Sequence, residues 1–260
     1  MDASVEQPNL VKQANAPVST ILQLRIQDTY LPEFDKLHGD GNVTSIAVTM
    51  PLPQYRLLPI RQLSLLAAPV AVTTPDDTTH FGDLQFTDLG IMETDRGFIW
   101  GAGASFVFPS ASSHETGQGK WQAGPAAVAA YAPRNWLLGL LLQNPISFAG
   151  DGDRKDANAL LVRPFLTLQL GKGWFVRSQP VIFIDWENHG EVVPIDLGFG
   201  RVFQIGSQYV NLFVEPFWNA VDYGPAPKYG ITVGLSLLYP NFWGTSHARV
   251  ASGEGTDHGR

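Results

Sequence analysis

Long segments in which apolar side chains alternate with small or polar ones constrain this sequence more than any other feature. In Tyr229–Tyr239 the odd positions are Tyr, Ile, Val, Leu, Leu and Tyr, whereas 230, 232, 234 and 236 are Gly, Thr, Gly and Ser. A period of two is the pattern of a β-strand with one apolar face. Residues 158–170 and 209–219 repeat it. The sequence therefore predicts an all-β chain.

Twelve such segments can be counted along the chain. The predicted strands are 19–28, 43–50, 63–73, 82–92, 97–108, 121–131, 135–147, 158–170, 173–184, 192–204, 209–219 and 229–239. Most of them exceed the five or six residues that are commonest in globular proteins. Their length suits a tilted transmembrane strand of about 9–11 residues.

The connections between these strands alternate in length. From the fourth strand onward the short links are Glu93–Arg96, Ala132–Arg134, Gly171–Lys172 and Ile205–Gln208. The longer, polar links between them are Pro109–Lys120, Phe148–Ala157, Trp186–Glu191 and Ala220–Lys228. Short turns on one rim and long loops on the other are typical of an outer-membrane barrel. The link Pro51–Gln62 is an exception, because it is long and falls on the short-turn side.

These patterns predict an antiparallel up-and-down transmembrane β-barrel of about 12 strands, formed by residues 19–240. With an even number of strands both termini lie on the short-turn, periplasmic rim. Residues 1–18 are an N-terminal leader, in which Asn9–Ala16 either forms a short helix that enters the barrel as a plug or stays extended. Residues 241–260 are rich in Gly, Ser, His and charge and are predicted to be a disordered tail.

Aromatic residues support the membrane interpretation, because they fall at both ends of the strands on the outward face. Those near the short-turn ends are Trp100, Tyr131, Trp136, Trp174, Phe203 and Tyr239, and those near the long-loop ends are Phe108, Trp121, Trp218 and Tyr229. Two such belts are typical of membrane interfaces. The alternative is a soluble β-barrel whose aromatic side chains fill a core.

Composition excludes several classes of function. Without cysteine there is no thiolate nucleophile, disulfide or Cys-ligated metal. A net charge of −7 argues against nucleic acid as a partner. Charged residues are 16% of the chain, against about 25% in typical soluble domains. The N-terminus as written has no signal peptide, so the expectation is either a trimmed mature form or a chain that stays in the cytoplasm.

Several motifs resemble one known family. They are Trp100–Pro109 (WGAGASFVFP), Thr116–Pro125 (TGQGKWQAGP), Ser147–Arg154 (SFAGDGDR) and Leu161–Phe165 (LVRPF). In this order they are similar to outer-membrane β-barrel transporters of the meta-pathway of phenol degradation, some of which carry the transferred name neuromedin U. The similarity runs from about residue 81 to 240. It implies a barrel in the bacterial outer membrane and a role in uptake.

The last predicted strand is similar to the assembly signal of outer-membrane proteins, a polar residue followed by Gly and two alternating apolar positions. Thr232, Gly234, Leu237 and Tyr239 occupy these places. The resemblance implies the outer-membrane assembly machinery as a partner, beside membrane lipid and a small-molecule solute.

Charged and amide side chains within the strands are the candidate pathway residues. A charge on the lipid face costs about 2–4 kcal/mol at mid-depth, so these side chains are expected to face the lumen. The candidates are Arg163, Arg177, Gln179, Asp196, Asn211 and Glu215. Arg201 also lies in a strand, but its parity points outward. The residues either form a polar pathway or a salt-bridge network that fills a narrow lumen.

Catalytic, metal-binding and cofactor motifs are not evident. The histidines at 38, 80, 114 and 189 fall in predicted loops, and those at 247 and 258 fall in the tail. A metal site near His189 and a calcium loop at Asp151–Asp156 are conceivable, but neither has a recognised ligand spacing. We expect a non-enzymatic channel or passive transporter for small solutes, with aromatic or apolar molecules as candidate cargo. The alternatives are an outer-membrane enzyme acting on lipid and a soluble binding protein.

Overall fold

The alternating segments pair into one sheet that closes on itself. The structure, a computed structural model, describes residues 7–52, 60–94, 96–224, 226–240 and 242. Within these residues the chain forms one helix and a closed antiparallel barrel of 12 strands. The first strand pairs with the last in register from Leu22 opposite Tyr239 to Tyr30 opposite Ile231, which closes the barrel. The predicted fold class is confirmed.

Eight of the strands are continuous within the described residues. They are β1 (Leu22–Phe34), β2 (Gly41–Pro51), β3 (Arg61–Thr73), β5 (Phe98–Phe108), β6 (Lys120–Tyr131), β8 (Ala159–Gly171), β11 (Gln208–Val221) and β12 (Pro227–Tyr239). Each pairs with its neighbours in chain order.

Four strands are interrupted by a short break. They are β4 (Thr79–His80 and Leu84–Glu93), β7 (Trp136–Gln143 and Ile146–Gly150), β9 (Trp174–Ser178 and Ile182–Asp185) and β10 (Gly190–Asp196 and Gly198–Ile205). Two of the breaks contain a proline, Pro145 in β7 and Pro180 in β9. Proline has no N–H to give to the ladder, so a strand is interrupted where it occurs.

The predicted strands match the observed ones in number and order, but four that were predicted as continuous are interrupted, and the first is displaced. That strand was expected at 19–28 but runs from Leu22 to Phe34. Ser19 lies in a local turn in which its Oγ accepts the N–H of Ile21 at 3.2 Å, which keeps these residues out of the ladder. At its other end β1 continues beyond the prediction, because it pairs with β2 as far as Leu31 and with β12 as far as Phe34.

The connections differ between the two rims. On the short-turn rim the links after β4, β6, β8 and β10 span 94–97, 132–135, 172–173 and 206–207. On the long-loop rim the largest links span 109–119 and 151–158, but the link 186–189 is a four-residue turn, shorter than predicted. The exceptional link between β2 and β3 spans 52–60, of which 53–59 lie outside the described residues.

The outer surface of the barrel is apolar and carries the aromatic belts. Along β12 the exposed side chains are Tyr229, Ile231, Val233 and Leu235, whereas Gly234, Ser236 and Leu238 face inward and are buried. Neighbouring aromatic side chains pack together at both rims: Phe98 with Tyr131, Trp174 with Phe199, and Phe108 with Trp121.

Two carboxylates lie on this outer face, contrary to the expectation that strand charges face the lumen. Asp28 accepts hydrogen bonds from Asn42 (2.8 Å) and Thr44 (2.7 Å). Asp88 accepts them from Gln62 and Ser64, both at 2.8 Å. Neighbouring strands thus supply two donors to each carboxylate, which lowers the cost of its position.

A helix, α1 (Gln7–Asn15), lies inside the barrel rather than outside it. Of the two arrangements considered for the N-terminal segment, the structure has the helix. No helix among the described residues is long and apolar enough to cross a membrane. The predicted tail, 241–260, lies outside the described residues apart from Phe242.

Candidate functional site

All six predicted pathway residues lie on the inner face of the barrel or at a strand break. Arg163 is on β8, Arg177 on β9, Gln179 in the break of β9, Asp196 on β10, and Asn211 and Glu215 on β11. Arg201 lies on the outer face, as its parity predicts, with its guanidinium carbon 5.1 Å from the centre of the Trp174 ring. The structure brings five of the six together around the end of α1 through hydrogen bonds and an ion pair, and Arg163 shares none of these bonds, although it lines a cavity together with Gln179.

An ion pair between Arg177 and Glu215 is the centre of this cluster. The Nε of Arg177 donates to Oε2 of Glu215, and the two side chains are only 4% and 9% exposed. The Arg177 guanidinium also stacks on Phe213, with its carbon 3.4 Å from the ring centre. Gly198, on the strand between them, leaves the space that the pair needs, since a Cβ there would lie 2.7 Å from Oε2 of Glu215.

Asp196 and Gln179 hold the break in β9 against β10. Both carboxylate oxygens of Asp196 accept the backbone N–H of Gln179, at 2.9 and 3.2 Å. Because Pro180 interrupts the ladder next to this residue, the carboxylate replaces a missing strand acceptor. Asp196 therefore stabilises the interrupted strand.

The C-terminal end of α1 is capped by side chains from the barrel wall. The carbonyl of Ala14 accepts hydrogen bonds from Gln23 (3.1 Å), Asn211 (3.3 Å) and Arg25 (3.4 Å). Helix carbonyls at this end have no partner within the helix, and the helix dipole places partial negative charge there. Amide donors and a cation are therefore well suited to this position.

Asn15, the last residue of α1, is held by two side chains of β9 and its break. Its carbonyl accepts from Gln179, and its Oδ1 accepts from Arg177 at 3.3 Å. Its own amide group donates to the carbonyl of Val11 at 2.9 Å. Asn15 is completely buried, so all of these bonds form away from bulk solvent.

Apolar contacts hold the same segment to both walls. Leu10, Val11, Ala14 and Ile21 belong to one cluster of buried side chains, with Phe175, Val202, Phe213 and Leu238 of the wall. Ala16 and Val18 belong to a second cluster, with Leu63, Leu89, Ile91, Ala126, Val128, Ala130, Leu137, Leu141 and Phe165. Because these clusters lie on opposite sides of the barrel, residues 10–21 cross the lumen and fill its short-turn half.

The other half of the lumen contains connected cavities. A cavity of about 160 Å³ lies above the floor formed by Ala16 and Pro17. A larger one of about 380 Å³ shares Gln85, Thr87 and Gln143 with it and continues toward the long-loop rim. Where the two meet, Gln143 of β7 donates to Thr87 of β4 at 2.7 Å. This bond joins strands that are not neighbours and therefore marks a narrow point of the lumen.

Loops fold over the mouth of the larger cavity. Residues 115–118 of the loop 109–119 line it. Asp83 fixes that loop by accepting the N–H groups of Gln118 (2.7 Å) and Ala111 (3.0 Å). Arg154 of the loop 151–158 donates to the carbonyls of His114 and Gly117. Only the first residues of the glycine-rich motif at 116–125 belong to this cover, and Gly117 allows the loop to pack closely there, since a Cβ on it would lie 2.2 Å from Cβ of Ala111.

The loops also account for the acidic residues between 151 and 156. Asp151 accepts the N–H of Asp153 within its own loop, at 3.0 Å. Asp156 forms an ion pair with Lys120 at 3.1 Å, and this hydrogen bond lowers the pKa of the Asp156 carboxyl. Among the described residues no group of three or more histidine or acidic side chains is placed to hold a metal ion.

Several residues of the site were missed from sequence. Gln23 and Arg25 on β1, and Gln85 and Thr87 on β4, face the lumen, and Gln143 crosses it. The alternation of these strands would have placed them inward. Gln143, by contrast, ends an apolar run, and its sequence position gives no indication that it bonds to Thr87 across the lumen.

Comparison with known proteins places the fold among outer-membrane barrels. No protein-family model and no curated protein matches the sequence. An outer membrane channel from Pseudomonas putida F1 superposes with a TM-score of 0.62 at 11% identity, covering 87% of this chain and 98% of that chain. The NanC porin has a TM-score of 0.56 at 9% identity, covering 84% and 98%. At these identities the similarity is one of fold.

Proposed function

We propose that this protein is a passive outer-membrane channel for small solutes. The observation that carries the proposal is a closed barrel with an apolar, aromatic-belted outer face around a lumen of amide and arginine side chains. Membrane lipid is the partner that such an outer face requires. A lumen of this kind needs no cofactor, because solutes move down their gradient.

The resemblance to transporters of the meta-pathway of phenol degradation supports a finer proposal on location and cargo. It favours the bacterial outer membrane, assembly by the outer-membrane machinery, and small aromatic or apolar cargo. The lumen offers apolar contacts for such molecules, since Leu65, Leu141, Phe165 and Phe183 line the cavities among the polar groups. The cavity of about 160 Å³ at the base of the lumen is smaller than the pockets of about 300–1,000 Å³ that hold drug-sized ligands, so it favours smaller molecules.

In the proposed channel, helix α1 closes the short-turn end. Passage then requires residues 10–21 to move, because they pack against both walls. Arg177, Gln179, Asn211 and Glu215 would become exposed to solutes in that open form. Under this proposal Arg177, Gln179 and Asn211 hold the plug when it is in place, and together with Glu215 they line the pathway when it is not.

Two measurements on the purified protein test the channel function. A detergent gel compares boiled and unboiled samples, and we expect the folded barrel to migrate anomalously until boiled. Planar-bilayer recordings compare the full chain with a variant that lacks residues 2–15, and we expect a several-fold larger conductance from the variant.

Two results would count against the proposal. A chain that is soluble without detergent and shows no gel shift would point to the soluble binding protein instead. A folded, shortened variant that conducts no ions would show that the lumen is closed by more than α1.

A further inference from the structure

Arg163 differs from Arg25 and Arg177 of the lumen, because its side chain has no hydrogen-bond or ion-pair partner among the described residues. Within the described residues its side chain forms neither an ion pair nor a hydrogen bond, and its Nε is out of contact with solvent. Arg177, on the neighbouring strand, is by contrast paired with Glu215. The residue as a whole is half-buried, but an N–H that is removed from water without an acceptor is unfavourable, so the position of Nε needs another explanation.

The cavity that Arg163 lines has unpaired polar atoms of its own. Oε1 of Gln143 is buried without a hydrogen-bond partner, and Ser105, which lines the connected larger cavity, has an unpaired Oγ. Buried polar atoms are normally satisfied, by protein, by water or by a ligand. Three unsatisfied groups around one connected space therefore point to a polar occupant.

The cavity of about 160 Å³ that Arg163 lines is called the lower cavity below. The charged residues around it determine whether an anion or a cation would bind there. Arg25 lines it as a second cation, and no acidic residue is among the described side chains that form its wall. Two acidic residues, Asp83 and Glu115, line only the larger cavity, and Asp83 already accepts two backbone N–H groups. In the lower cavity a small anion would therefore meet two cations and no carboxylate of the described wall.

The other residues of the wall indicate what kind of anion would fit. Leu65, Leu141 and Phe165 line the lower cavity beside Arg163, and the amide of Gln85 faces it from β4. A planar guanidinium matches the two oxygens of a carboxylate, and the apolar side chains match an apolar body. The volume of about 160 Å³ limits that body to a small one.

We propose that Arg163 anchors a binding site for a small monocarboxylate with an apolar body, at the base of the lumen cavity. The proposal deepens the channel function and rests on it, since it names the class of solute that the lumen would admit. Arg163 binds the carboxylate, and Gln143 and Ser105 bind polar substituents or the water that accompanies them.

Equilibrium binding to the full-length protein, folded in detergent at neutral pH, tests the site. The probe is benzoate, and benzamide is its uncharged counterpart of similar shape. We expect wild-type protein to bind benzoate at least about tenfold more tightly than benzamide, as a charge-assisted pair of hydrogen bonds would give. Arg163→Gln should lose that difference, and Arg163→Lys should retain part of it.

Arg201→Gln is the matched control, because it removes the same charge from the outer face of the barrel. It should bind benzoate as wild type does. Arg163→Gln should also fold, as judged by the gel shift on boiling, since the change removes an unpaired charge. Unchanged benzoate binding in a folded Arg163→Gln variant would overturn the proposal, as would no preference for benzoate in wild type.

This experiment separates the site from the channel, because binding is measured without any current. Protein that conducts but does not bind benzoate would leave the channel standing and remove the site. Protein that binds through Arg163 but never conducts, even without residues 2–15, would keep the site and remove the channel.

Discussion

The buried charge of Glu215 is tolerated only because Arg177 is beside it. Both side chains are almost completely buried, and the neighbouring Phe213 ring covers the guanidinium instead of water. The attraction between the two charges compensates for their removal from water only while both are present. A single substitution would leave one of them uncompensated.

We therefore expect Arg177→Met to destabilise the barrel by about 3–5 kcal/mol. The double variant Arg177→Met/Glu215→Leu should recover most of that loss, because it removes both buried charges. Urea unfolding in lipid vesicles, followed by tryptophan fluorescence, measures the free energy of unfolding. Equal losses in the single and double variants would show that the pair contributes through its packing alone.

Sequence could place these two residues in the lumen but could not pair them. They are 38 positions apart, on strands separated by β10, and they meet only because Gly198 has no side chain between them. Parity decides which face a residue occupies. It does not decide the register across three strands, and the register determines which side chains come into contact.

At the scale of the element, α1 depends on the barrel around it. A helix of nine residues is marginal in water, and this one gains its stability from packing. Val11 is only 2% exposed and lies in the cluster with Phe175 and Leu238. A charge at this position would have no partner in that cluster.

Val11→Asp should therefore release the helix from the lumen. Lys12, the next residue, provides the measurement, since trypsin cleaves after lysine only where the chain is accessible. We expect the folded variant to be cleaved there at least several-fold faster than wild type, as detected by intact mass. Val11→Thr, of similar shape and without charge, should stay close to wild type. Equal cleavage of the Asp and Thr variants would contradict this account of the helix.

The helix also shows where prediction from sequence ends. The composition of 9–16 permits a helix, but its docking depends on donors contributed by β1, β9 and β11. The donors of β9 and β11 are far away in the chain, and local helix propensity contains no information about any of the three. The strands were predictable because their alternation records directly which side faces lipid.

At the scale of the whole molecule, the outer face can be tested by placing charges on it at different depths. Leu235 lies midway along β12 and is 40% exposed, and Val221, also 40% exposed, lies at the long-loop end of β11. The two residues differ in their position along the barrel axis but are equally exposed. They form a matched pair.

We expect Leu235→Arg to cost about 2–4 kcal/mol of folding free energy in lipid vesicles, and Val221→Arg about 0–1 kcal/mol. The same urea titration measures both. Two equal costs would indicate that the outer face does not cross a bilayer. The low content of charged residues agrees with the expected difference, although Asp28 and Asp88 show that hydrogen-bonded carboxylates are tolerated there.

Closure of the barrel by β1 and β12 has a consequence for the order of folding. The helix is the first described segment of the chain, yet Arg177, Gln179 and Asn211, which hold its end, lie 162 to 197 positions away. Contacts so distant in sequence form late and slowly. Only Gln23 and Arg25 of β1 are near enough to engage Ala14 early. Docking of the helix and closure of the sheet are therefore coupled, and the rate of one should limit the other.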